Sequence, residues 1–185
     1  MVWYNPKSNI DDHPGKIRTV TGKQIDLLSI TEDDIDIEDI AYGLAHTARF
    51  AGQTRVFYSV AEHSISVMTN LPLELKIAGL LHDASEAYIG DMPSPIKSAM
   101  PDYRYIEDKI MEAIAKKFNF KWPLDSRVKK IDKKILLKEW SELVIGDDDI
   151  IDETPKKSVI SCFLRLFEHV VEEQRIYKEK KSVNR

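Results

Sequence analysis

From Ile37 onward the apolar residues return at a helical interval, with Ile37, Ile40, Ala41, Leu44, Ala45 and Ala48 on one face at about 100° per residue. That period commits the chain to burying helix faces. Its punctuation then divides it into several helices. The acids Glu32, Asp33, Asp34, Asp36, Glu38 and Asp39 precede or begin the first, where the positive end of the helix dipole favours them, and they read as a solvated start. Ser59-Val60-Ala61-Glu62 is a capping box that opens a second helix running to about Asn70. Leu71-Pro72 interrupts it, and Pro72 suits the first turn of a third helix that carries Ile77, Leu80, Leu81, Ala84 and Tyr88 inward. The run from Gly90 to Pro95, with one glycine and two prolines, ends that helix. Further helices are expected from about Asp102 to Asn119, Leu124 to Ile145 and Pro155 to Lys180, with an acidic loop at Gly146-Asp147-Asp148-Asp149 and a fraying end at Lys178-Glu179-Lys180-Lys181. Two β-capable stretches around Gly22, within residues 17–28, suggest a small N-terminal hairpin behind a polar arm, residues 1–18. The fold class is mainly α: one helical domain over residues 1–185 with a small hairpin.

Composition narrows the function. At 43% apolar and 31% charged residues, the chain reads as an ordinary globular protein. No apolar run approaches the roughly 20 residues of a membrane span. The opening Met1-Val2-Trp3-Tyr4-Asn5-Pro6 lacks a signal-peptide layout, so a cytoplasmic location is expected. The single Cys162 excludes an internal disulfide framework and a cysteine-rich zinc site. With 27 basic against 31 acidic residues and a net charge of -4, global charge does not recruit nucleic acid. The stretch of Lys129, Lys130, Lys133, Lys134 and Lys138 carries no aromatic interleaving and reads as a solvated face. An anionic ligand must be held by a few local cations.

The chemistry concentrates in Leu80-Leu81-His82-Asp83-Ala84-Ser85-Glu86, which sets three ionisable side chains inside an otherwise apolar helix. Buried charges need partners. On a continuous helix Glu86 lies in the sector between His82 and Asp83, so all three face one pocket. A His-Asp dipeptide alone reads equally well as a hydrogen-bonded surface pair. His63, at the start of the preceding helix, and Asp132, in a later one, extend the set to two imidazoles and two carboxylates. Such a set can hold a divalent ion and leave positions open for water and a phosphate oxygen.

Several ordered blocks resemble one known family, the HD-domain phosphohydrolases. They are Arg49-Phe50-Ala51-Gly52, Tyr58-Ser59-Val60-Ala61-Glu62-His63, His82-Asp83-Ala84-Ser85-Glu86, the Gly90-Asp91-Met92-Pro93-Ser94-Pro95-Ile96-Lys97 run, and Asp132 with Glu139 seven residues later. The likeness spans roughly residues 19–140 and points to the small branch of bacterial 5'-deoxynucleotidases and phage deoxynucleoside triphosphate triphosphohydrolases. Some monophosphatases of that family carry Trp after the Arg; Phe50 here keeps an apolar contact and loses a donor.

The resemblance implies an HD-domain helical bundle with His63, His82, Asp83 and Asp132 as metal ligands, Arg49 and Glu86 as catalytic residues, and Asp91 near the sugar. Arg49 offers a planar fork for phosphate oxygens, with Phe50 and Lys97 as further substrate contacts. Glu86 can orient water or protonate a leaving oxygen if its pocket raises its pKa. The mixed ligands suit one divalent Mn, Co, Ni, Fe or Zn ion better than Mg. The expected activity is hydrolysis of the phosphate ester of a small deoxynucleotide, foremost a monophosphate. The alternatives are triphosphate release from a deoxynucleoside triphosphate, or a nucleotide sensor without catalysis. The family resemblance also implies a homo-oligomer, a dimer or a hexameric ring, while charge and hydropathy lead us to expect no nucleic-acid or membrane partner.

Overall fold

A computed structural model of the chain describes residues 16–146 and 153–183. Most of the polar arm and the acidic loop at Asp147-Asp148-Asp149 lie outside the described residues. Strands β1 (Lys16–Arg18) and β2 (Gln24–Asp26) pair antiparallel with Ile17 opposite Ile25. The turn between them passes through Gly22 at φ 91°, a left-handed conformation that glycine adopts without steric cost. Ile25 then points into the core and is fully buried.

Helix α1 (Ile37–His46) starts at Asp36, whose side chain accepts from the Glu38 N–H at 3.0 Å. Within the acidic run, Asp39 departs from the solvated reading. It is buried, and accepts from the Thr21 N–H at 2.9 Å and the Thr21 hydroxyl at 2.8 Å, which fastens the hairpin turn to α1. A short 3-10 turn, Arg49–Gly52, leads to α2 (Val60–Thr69), whose capping box forms as its sequence predicts. α2 packs against α1, α7 and α8 as well as its successor α3 (Lys76–Leu80), which follows the 3-10 turn Leu73–Leu75. α4 (Glu86–Ile89), α5 (Ser94–Ala99) and α6 (Pro101–Lys117) come next, then α7 (Ser126–Glu139), a π-helical turn Trp140–Ile145, and the long α8 (Lys156–Val183). Lys178 to Lys181 continue α8.

The main core joins α1, α2, α3, α6 and α8 around Ile40, Leu44, Val60, Leu80, Ile110 and Phe163. A smaller cluster, Val67, Leu71, Leu75, Ala78, Val128 and Ile135, seats α7 against α2 and α3. Three element expectations change. The helix expected through residue 89 is broken between Leu80 and Glu86. The run from Gly90 ends α4 as expected, but a short helix not expected, α5, follows it with Pro93 at its cap and Pro95 in its first turn, a position that tolerates a missing N–H. The helix expected to reach Ile145 as one piece widens into the π turn at Trp140.

Candidate metal centre and the cavity beside it

His63 sits in the first turn of α2 and is fully buried. Its Nδ1 lies 2.9 and 3.0 Å from the two carboxylate oxygens of Glu139. A carboxylate accepts, so Nδ1 carries the proton and Nε2 presents a lone pair. His82 repeats the logic. Its Nδ1 is 2.8 Å from the Gly79 carbonyl oxygen, which can only accept, so its Nε2 is also left for a ligand. This bond breaks the helix: Gly79 O, which a continuous helix would pair with the Asp83 N–H, is taken by the ring. The chain passes through i to i+3 bonds at Ala84 and Glu86 before α4 begins.

The two Nε2 atoms face each other at 3.2 Å. Asp132 Oδ1 lies 3.1 Å from the first and 3.7 Å from the second, and Asp83 Oδ2 lies 3.1 Å from His82 Nε2 and 3.8 Å from His63 Nε2. Donors bound to one ion at about 2.0–2.2 Å stand roughly 3–4 Å apart. Two facing lone pairs flanked by two carboxylates need a cation among them. A proton can serve: although burial works against charge on His82, Asp83 foremost and then Asp132 hold its pKa well above the ordinary imidazole value. Burial likewise opposes the charged forms of Asp83 and Asp132, but the histidines outweigh it and keep both carboxyls well below their usual range. The donor set therefore fits a divalent ion of the kind that takes mixed imidazole and carboxylate ligands.

Glu139 also touches two other groups, accepting from the Tyr58 hydroxyl at 3.0 Å and from Arg49 Nη2 at 3.4 Å. Arg49 is buried at the head of the Arg49–Gly52 turn, with Nη1 3.7 Å from Asp83 and its Nε without a hydrogen-bond partner among the described residues. The next two residues, Phe50 and Ala51, are left-handed at φ 55° and 53°. Such backbone costs of order 1–3 kcal/mol per residue, and it clusters at ligand-binding sites. Glu86, on the first turn of α4, is 4% exposed; Oε1 lies 3.6 Å from Lys97 Nζ and Oε2 has no hydrogen-bond partner among the described residues. Burial first, then Asp83 and Asp91, push its pKa well above the ordinary carboxylate value, against the pull of Lys97 and Arg49. Lys97 is itself engaged by Glu107 at 2.6 Å. Beside Arg49 opens a cavity of about 570 Å³, to which Phe50, Asp91, Leu137 and Trp140 contribute walls.

No family model matches the chain. The Escherichia coli K12 protein YfdR, described as uncharacterized, is 39% identical over 131 residues, which cover 71% of this chain and 74% of YfdR. The chain belongs to the YfdR family. A Rhodobacter capsulatus protein, likewise described as uncharacterized, is 39% identical over 126 residues, 63% of this chain and 64% of that one.

In this member of the YfdR family the expected ligands His63, His82 and Asp132 lie together, with Asp83 against both histidines. Arg49 touches that group directly. Phe50 and Asp91 line the cavity with it. Two placements differ from expectation. Glu86 does not share a helical sector with His82 and Asp83, because the helix breaks between them. Lys97 is not among the residues lining the cavity; it faces Glu107 and Glu86. Glu139 and Tyr58 join the site beyond the residues expected there. The signal for Glu139 is its spacing, seven residues and so two helical turns beyond Asp132 on one face of α7.

Proposed function

We propose that this chain is a metal-dependent phosphohydrolase of the HD-domain type, acting on a deoxynucleoside monophosphate as a 5'-deoxynucleotidase. One observation carries the reading. Two histidines that both present Nε2 meet two aspartates at 3.1 to 3.8 Å, beside two buried groups with an unpartnered atom, Arg49 Nε and Glu86 Oε2. A merely structural ion site requires neither Arg49 nor Glu86.

His63, His82, Asp83 and Asp132 would hold the ion, which when bound supplies Lewis acidity and an activated water. Arg49 grips the phosphate oxygens, and its guanidinium stabilises charge as it develops there. Burial pushes the Glu86 carboxyl toward its protonated form, the form that can pass a proton to the departing 5'-oxygen. Asp91, on the cavity wall, accepts from a sugar hydroxyl. Lys97, paired with Glu107, steadies Glu86 from behind. Among the described residues Arg49 is the cation on that wall, a charge suited to one phosphate group, which favours the monophosphate. The exposed lysines flanking Asp132 on α7, among them Lys129 and Lys133, favour the second reading, a triphosphohydrolase that releases triphosphate.

The test is a panel of deoxy- and ribonucleoside mono-, di- and triphosphates with Mn, Co, Mg and Zn, with products separated. Nucleoside plus phosphate from deoxynucleoside monophosphates is the expected result. Triphosphate release would install the second reading, and no turnover by protein shown to contain metal would leave a nucleotide sensor.

A further inference from the structure

We propose that Trp140 is the stacking platform for the base of the bound nucleotide; the nature of that ligand rests on the phosphohydrolase reading above. Two irregular backbone segments meet at this cavity. In one, the left-handed pair Phe50 and Ala51 follows Arg49. In the other, α7 widens into its π turn immediately after Glu139, a distortion that recurs at functional sites. Each projects an aromatic ring into the same wall. Phe50 meets Trp140 at an angle of 65° with centroids 5.6 Å apart, and the Arg49 guanidinium lies 5.3 Å from the Phe50 ring. Guanidinium, phenyl and indole thus form a row that leads from the phosphate-binding end into the cavity.

Glu139 and Trp140 are consecutive, so one points to His63 while the other emerges about 100° around the helix. Phe50 props one part of the indole, yet Trp140 stays 46% exposed and its wall neighbour Leu137 62% exposed. Large apolar side chains left open on a concave wall gain most when an apolar surface covers them. Among the described residues, the polar side chains on this wall beyond Arg49 and Asp91 are Gln53 and Ser94, too few to read a base by its edge. A base is therefore held by its face, and purines, with more π surface, bind better than pyrimidines.

The experiment compares wild type, Trp140→Ala and Trp140→Phe by calorimetric titration with deoxyadenosine, which carries no phosphate, and by steady-state kinetics on deoxyadenosine and deoxycytidine monophosphates. Loss of stacking should weaken deoxyadenosine binding and raise KM in Trp140→Ala by roughly 5- to 150-fold, by more than kcat falls, with Trp140→Phe recovering most of it. The purine advantage in KM should shrink toward unity in Trp140→Ala, a change that a merely structural residue would not produce. An unaltered KM, an unaltered base ratio or unaltered deoxyadenosine binding would overturn the platform while leaving the hydrolase reading intact. Deoxyadenosine binding that depends on Trp140 in a protein with no turnover would uphold the platform and overturn the hydrolase. If wild type neither binds deoxyadenosine nor hydrolyses either nucleotide, both fail.

Discussion

Glu139 governs the proton on His63 by accepting from Nδ1, and thereby keeps Nε2 free. Replacing it with Gln leaves the shape but offers the ring an amide in place of a carboxylate. Partners of this kind typically cost 10- to 100-fold in metal affinity when lost. Glu139→Gln should show that loss in a titration of Mn2+ or Co2+ into chelator-treated protein; unchanged affinity would remove Glu139 from the centre. Glu86 acts differently. Glu86→Gln should retain the ion and lose about 100- to 10,000-fold in turnover. It should also change the pH dependence of stability. Because burial raises the folded carboxyl above its ordinary 4.5, the folded state binds more protons than the unfolded one once pH passes that value. Wild type therefore loses stability as pH rises through the raised value, and Gln removes the loss. Thermal melts from pH 5 to pH 8 should show Glu86→Gln gaining on wild type with pH, and a constant difference would contradict the burial argument.

Elements meet closely where the site needs them to. A Cβ on Gly43 of α1 would stand 2.7 Å from the Ala87 carbonyl oxygen and 2.8 Å from the Ala87 Cβ on α4. Those atoms belong to a neighbouring backbone and cannot swing aside, so Gly43→Ala must push α1 and α4 apart. We expect about 1–3 kcal/mol of destabilisation in denaturant unfolding. Glu86 precedes Ala87, so on the proposed function kcat should fall as well, with metal affinity kept because the candidate ligands sit on α2, α7 and the turn before α4. A variant as active and stable as wild type would show that the two helices do not need this approach.

Across the whole molecule, the candidate ion would link α2 and the turn before α4 to α7, which the small cluster of Val67, Leu71, Ala78, Val128 and Ile135 seats against α2 and α3. An ion bound only by the folded chain stabilises it by mass action, about 2.7 kcal/mol at a hundred times its Kd. The melting temperature should rise with added Mn2+ or Co2+ and fall on chelation, and Asp132→Ala should abolish the response. A full response in Asp132→Ala would exclude Asp132 as a ligand.

What the sequence determined by itself was local. The 3.6-residue period placed α1, the Ser59 and Glu62 box opened α2, and the glycine turn made the hairpin, because each depends on residues within one or two turns of each other. The candidate ligands His63, His82, Asp83 and Asp132 were legible through the ordered motif blocks that carry the family resemblance, while their convergence was not. Tertiary contact decided the rest. Asp39 is buried because Thr21, eighteen positions away, supplies its donors. The helix that begins at Lys76 stops at Leu80 and does not run on to Glu86, because the buried His82 ring bonds Gly79 O while its Nε2 meets a histidine from α2. Glu139 and Trp140 join the site through partners at Arg49 and Phe50, 90 positions earlier in the chain. No pattern of period or capping encodes such a meeting; it follows from how α7 seats against α2, and that is set by which apolar faces the folded chain can bury together.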